Sequence, residues 1–261
     1  MEITAERLIA QAKEEEIVRF DIHQRVQHFL MMTSVFLLAV TGLPLKFADL
    51  GISQWWIGVW GGIDVTRWVH HFFAWVMVLD CIYHLIYVGY TTIALKRPFS
   101  LKIIPTPKDF FDFYGDMAYF FGFAKERPKY DRFNWREKFD YWAIFWGMFI
   151  IGGSGAILMF PVLASKFLPG WSIPAALIAH GDEAMLAVIW IFIVHIFFNH
   201  FTPDYFPLNK SIFTGKLTRN QYQHEHPLDY ERLGVQPEPA PAKTEDGGPP
   251  MDGGSIPHRD D

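Results

Sequence analysis

Residues 174–201 read PAALIAHGDEAMLAVIWIFIVHIFFNHF, a run long enough to cross a bilayer as a helix, with His180 and His195 set among its apolar residues. At about 1.5 Å rise per residue the two imidazoles lie roughly 22 Å apart along the axis, and at about 100° per residue they are offset by some 60° around it. Both can therefore face one side of the helix, one near each leaflet. Ionisable groups at membrane depth are costly and mark functional positions. The rest of the chain can be read as a search for their partners.

Three further runs, at 28–48, 68–95 and 139–163, are also long enough to span hydrocarbon. The chain is expected to be an all-α membrane protein, a four-transmembrane-helix bundle with amphipathic surface helices. The first run follows about 25 polar residues and precedes no small-residue cleavage pattern, so it does not read as a signal peptide. Lys and Arg number 4 before the first run, 10 in 96–138 and 6 after residue 201, whereas the other two connections and their flanks hold only Lys46, Arg67 and Lys166. The positive-inside rule then puts both termini and the 96–138 loop in the cytoplasm. The expected organisation is an amphipathic segment over 1–25, a membrane domain over 26–205, a cytoplasmic segment over 206–234 and a disordered tail over 235–261.

Two runs besides the fourth carry histidine. His28 lies in the first turn of the first run, in RVQHF, and the second run, RWVHHFFAWVMVLDCIYHLIYVGY, carries His70, His71 and His84. His70 and His84 are fourteen apart, roughly 21 Å along the axis. Asp80 in the same run should face the bundle. The second and fourth runs point the same way, so their levels compare directly. His70 and His180 pair near the outer boundary, while His28, His84 and His195 compete for two positions at the inner level. Two bis-histidine haem b groups suit this pattern, because neutral imidazole is a usual axial ligand and two per iron favour electron transfer over oxygen chemistry. Gly147, Gly152, Gly153 and Gly155 in the third run would let it pack against a flat ring or another helix. His23, His200, His224 and His226 read as solvated or headgroup-level residues. Arg25, Arg67 and Lys138 could pair with haem propionates or anchor the membrane surface.

RVQHF followed by AVTG, WVHHFF, the histidine-bearing fourth run and the trailing IFTGKL and HEHP resemble the di-haem cytochrome b subunits of respiratory complexes. The pattern is most similar to the gamma subunit of membrane-bound formate dehydrogenase, with the cytochrome b subunit of nickel–iron hydrogenase nearby. The resemblance covers about residues 20–230. It implies that His70 and His180 hold the outer haem, that His28 and His195 hold the inner one, and that quinone reacts beside the inner haem. The sequence departs from that pattern in two places. His180 to His195 is one residue longer than in the formate dehydrogenase subunit, and His84 is an additional histidine. His70/His84 with His180/His195 also resembles the spacing of cytochrome b in quinol:cytochrome c oxidoreductases. The inner pair thus stands between His28–His195 and His84–His195, the former being favoured.

These residues exclude several functions. With Cys81 alone, the chain forms no intrachain disulfide, holds no cysteine-ligated iron–sulfur cluster by itself and has no CxxCH for covalent haem. The clustered histidine boxes of a membrane di-iron desaturase are missing. The expected role is an electron-transfer subunit, not a complete enzyme, in the lipid of a prokaryotic inner (cytoplasmic) membrane. It would link an iron–sulfur or multihaem cytochrome subunit on the outer face to the quinone pool. The alternatives are a third haem at His84, or a proton-coupled transporter or anchor without haem.

Overall fold

The computed structural model describes residues 16–96, 101–202 and 205–233. The residues expected to be amphipathic before position 16, and the tail expected over 235–261, lie outside the described residues. Four helices are long and apolar enough to cross a membrane: Ile22–Lys46, Ile63–Ala94, Trp135–Met159 and Ser172–His200. They are called the first to fourth spans here. The shortest has 25 residues, about 37 Å of helix against roughly 30 Å of hydrocarbon. The architecture is the expected all-α four-helix membrane bundle.

Local chemistry sets where these helices begin. Asp21 caps the first span through the Gln24 amide at 2.9 Å, and the Gln24 side chain returns to the Asp21 amide at 3.0 Å. This reciprocal cap satisfies two amides that the helix start would leave orphaned, and it begins the helix well before the apolar run. Asn134 and Glu137 form the same device at the start of the third span. Between the first two spans a short helix, Gly51–Val59, runs into Gly61 and Gly62 at φ 96° and 106°. Only glycine accepts these angles without strain.

The first and second spans make an antiparallel hairpin with the most extensive helix packing in the molecule, and the third packs on the fourth. In the first hairpin Thr41 meets His70 and Gln27 meets His84. Equal fourteen-residue steps on both helices keep the contact in register. Asp80 is 2% exposed, consistent with the expectation that it faces the bundle. The two hairpins approach one another less closely, and no residue in the most apolar window of the fourth span is buried within the chain.

A polar cap closes the end of the bundle at which both described chain ends lie. Strand β1 (Glu16–Val18) pairs antiparallel with β2 (Lys216–Thr218), Ile17 opposite Leu217. Glu16–Val18 is thus a strand, where the sequence reading placed a surface helix over 1–25. Tyr205, Leu217, Tyr222 and Tyr230 form the core of the cap. Arg19, 5% exposed, donates to the Arg132 carbonyl and to Glu137 Oε1, each at 2.8 Å. Asp116 is fully buried and accepts from Tyr130 Oη at 2.5 Å and from Trp135 Nε1 and Arg136 at 2.7 Å. The helix Pro107–Phe120, in the loop expected over 96–138, carries Asp116.

Candidate functional site

The histidines of the spans fall into two groups at different heights, and both groups bridge the two hairpins. Near the end away from the cap, His70 of the second span faces His180 of the fourth, with ring centroids 6.1 Å apart and planes at 78°. Near the cap, His28 of the first span faces His195 of the fourth, with centroids 6.3 Å apart and planes at 26°. An iron bound by two imidazole nitrogens at about 2 Å, each ring centre a further ~1.2 Å behind its nitrogen, puts the centroids about 6.4 Å apart. Both pairs stand at that separation.

Hydrogen bonding fixes which nitrogen carries the proton in three of these rings. Thr41 Oγ1 spends its only proton on the Leu37 carbonyl at 2.6 Å, so toward His70 Nδ1, 2.9 Å away, it acts as acceptor. His180 Nδ1 donates to the Ile151 carbonyl at 2.9 Å. His195 Nδ1 donates to Asp140 Oδ2 at 2.8 Å, with the Asn199 amide 3.2 Å from the same nitrogen. Each ring therefore carries its proton on Nδ1 and keeps the Nε2 lone pair, the arrangement typical of metal-ligating histidine.

Two glycines make room for the outer pair. A Cβ at Gly42 would stand 2.9 Å from His70 Cε1, and one at Gly155 would stand 3.0 Å from His180 Cε1. Of the four glycines read as a possible cradle in the third run, only Gly155 meets a histidine ring. Cβ atoms at Gly147 and Gly152 would meet side chains of their own span, and one at Gly153 would meet nothing.

The helices themselves are irregular where the imidazoles are anchored. Ile151 lies in a π-helical turn, Met148–Gly152, and His195 ends another, Trp190–His195. A π turn holds more residues than an α turn and recurs at functional sites. The second of these lies between His180 and His195. His195, at its end, turns toward Asp140 of the third span.

His84 has different surroundings. Its Nδ1 is 2.9 Å from Gln27 Oε1 and its Nε2 is 3.1 Å from Tyr141 Oη, so both ring nitrogens are engaged. His71 lies edge-on to His70 with centroids 6.4 Å apart. His23 bonds Tyr83 Oη at 2.7 Å, and His200 accepts from the Asn209 amide at 3.3 Å. His226, read from sequence as solvated, is fully buried, with Nδ1 2.8 Å from the Asp131 carbonyl, because the segment after the fourth span folds back into the cap. Lys138 is also buried and pairs with Asp109 at 2.8 Å, and Arg25 bonds the Phe213 carbonyl. Arg67 is exposed.

Asp140 escaped the sequence reading. It accepts from Trp190 Nε1 at 2.7 Å as well as from His195, and so ties the third span to the fourth. A carboxylate five residues into a membrane span is a signal of function, but sequence does not say which imidazole it meets.

A family model described as prokaryotic cytochrome b561 matches residues 19–215. The cytochrome b556(Fdn) subunit of nitrate-inducible formate dehydrogenase from Escherichia coli K12 is 23% identical over 236 residues, covering 90% of this chain and 97% of that subunit. The same subunits of Escherichia coli O157:H7 and Shigella flexneri match to the same extent.

Proposed function

The chain belongs to the prokaryotic cytochrome b561 family, and from that membership we propose that it is the di-haem membrane subunit of a quinone-linked respiratory oxidoreductase. When bound, haem b supplies one-electron transfer at an iron closed to other ligands by its two imidazoles. His70 and His180 hold the haem farther from the cap, and His28 and His195 hold the haem nearer to it. Thr41, the Ile151 carbonyl and Asp140 orient three of these rings by accepting their Nδ1 protons. Gly42 and Gly155 leave space for two of them. His84, with both nitrogens hydrogen-bonded, stays outside the ligand set and braces the first, second and third spans through Gln27 and Tyr141.

The distribution of Lys and Arg supports a bundle whose capped end, both termini and 96–138 loop face the cytoplasm of an inner membrane. The similar subunits belong by name to formate dehydrogenase. That supports a partner on the outer face carrying iron–sulfur or multihaem centres, with quinone reacting near the inner pair. The chain supplies the crossing between them.

The observation that carries this reading is the pair of imidazole facings at 6.1 and 6.3 Å, three of the four rings anchored through Nδ1. The test is the haem content of the chain purified in detergent, by pyridine haemochrome and a dithionite-reduced minus oxidised spectrum. Two haem b per polypeptide with low-spin bands are expected. A folded preparation without haem would overturn the proposal and leave a transporter or anchor.

A further inference from the structure

The four imidazoles of the proposed haem sites differ in what stands behind them. His70 has a hydroxyl, Thr41 Oγ1, and His180 has a backbone carbonyl, that of Ile151. His195 alone among the four has a carboxylate, Asp140 Oδ2, at 2.8 Å. The other oxygen of that carboxylate accepts from Trp190 Nε1 at 2.7 Å, and Trp190 lies against Phe139 with ring centroids 4.4 Å apart. The carboxylate is thus held between two donors on the fourth span, and its orientation toward His195 is fixed.

We propose that Asp140 is a positioning residue that sets the two haems at different potentials, holding the His28–His195 haem more oxidised than it would be with a neutral partner. The inference rests on the haem reading above. A carboxylate accepting the Nδ1 proton makes the imidazole a stronger donor to the metal. Ferric haem with two neutral imidazoles carries one net positive charge, which reduction removes. A fixed negative charge nearby therefore stabilises the ferric form over the ferrous form, the more so in a low-dielectric bundle. No such charge stands behind the rings of the outer pair. The Trp190 N–H draws on the same carboxylate and tempers its effect on His195.

The test is a redox titration of the haem bands in the purified wild-type chain and in Asp140→Asn, Asp140→Glu and Trp190→Phe variants. In Asp140→Asn one of the two midpoints should rise by about tenfold in the reduction equilibrium, or about 59 mV for one electron, while the other stays in place. Asp140→Glu should restore most of the difference. Trp190→Phe removes the competing donor and should move the same midpoint downward. A merely structural role for Asp140 would reduce haem content without shifts of opposite sign. Unmoved midpoints in Asp140→Asn and Trp190→Phe, or shifts of one sign in both, would overturn the proposal. Should Asp140→Asn lose the haem, Trp190→Phe and Asp140→Glu decide the outcome by the same criteria. A His195→Ala control separates the two levels of argument, since full haem retention there would refute the ligand reading itself.

Discussion

A methyl group at position 42 would stand 2.9 Å from Cε1 of His70, closer than real carbon atoms approach, and one at position 155 would meet His180 at 3.0 Å. A side chain at position 42 would thus force a shift at His70, and one at position 155 would crowd His180. Gly42→Ala should displace His70 and lower haem content from about two per chain toward one, whereas Gly153→Ala, whose added carbon meets nothing within 4 Å, should keep both. Pyridine haemochrome analysis of the two variants checks this, and equal haem content in both would contradict it. The histidines were legible at this scale because a polar ring in an apolar run stands out against its neighbours. Their anchors were not. Asp140 lies 55 residues before His195 and the Ile151 carbonyl is a backbone atom, so neither contact leaves a local trace in sequence.

Hydrophobic length alone identified the four spans, because lipid demands about 20 apolar residues in one stretch. Their starts were harder to read. The Asp21 and Asn134 caps extend helix into polar sequence, and the π turns at Met148–Gly152 and Trp190–His195 have no compositional signature. The cap was least legible, since β1 and β2 pair across almost the whole chain. Its acid response follows from its buried groups. Burial pushes the His226 imidazole below its ordinary range, with the Glu137 carboxylate opposing. A depressed base contributes stability that is present above its unfolded pKa of about 6.5 and is lost as pH falls below that value. Asp131 is held well below the usual carboxylate range, since the opposing effect of burial is outweighed by Arg232, the Arg132 amide and Lys102. Its contribution is present above about 3.9 and is lost as pH falls further. Partial exposure and salt screening keep that second contribution small. Thermal stability in detergent should therefore weaken as pH falls below about 6.5 and again as it falls below about 4. His226→Asn should lessen the first step and Asp131→Asn part of the second. A melting temperature independent of pH from 7 to 3 would contradict this account.

At the scale of the whole molecule, two tightly packed hairpins stand apart by the width that two imidazole pairs define, one pair at each height. The number of spans and the histidine levels were legible in the sequence, and together they limited the outer pair to His70 and His180. The inner pair could not be settled by level, because His28 and His84 both reach it. The three-dimensional arrangement separates them: His28 faces His195 at 6.3 Å, whereas His84 turns to Gln27 and Tyr141. The most direct test of this account compares the haem content and low-spin haem spectrum of His28→Ala with those of His84→Ala. The account predicts that His28→Ala loses one of two haems and that His84→Ala keeps both. Loss of a haem in His84→Ala with both retained in His28→Ala would contradict it.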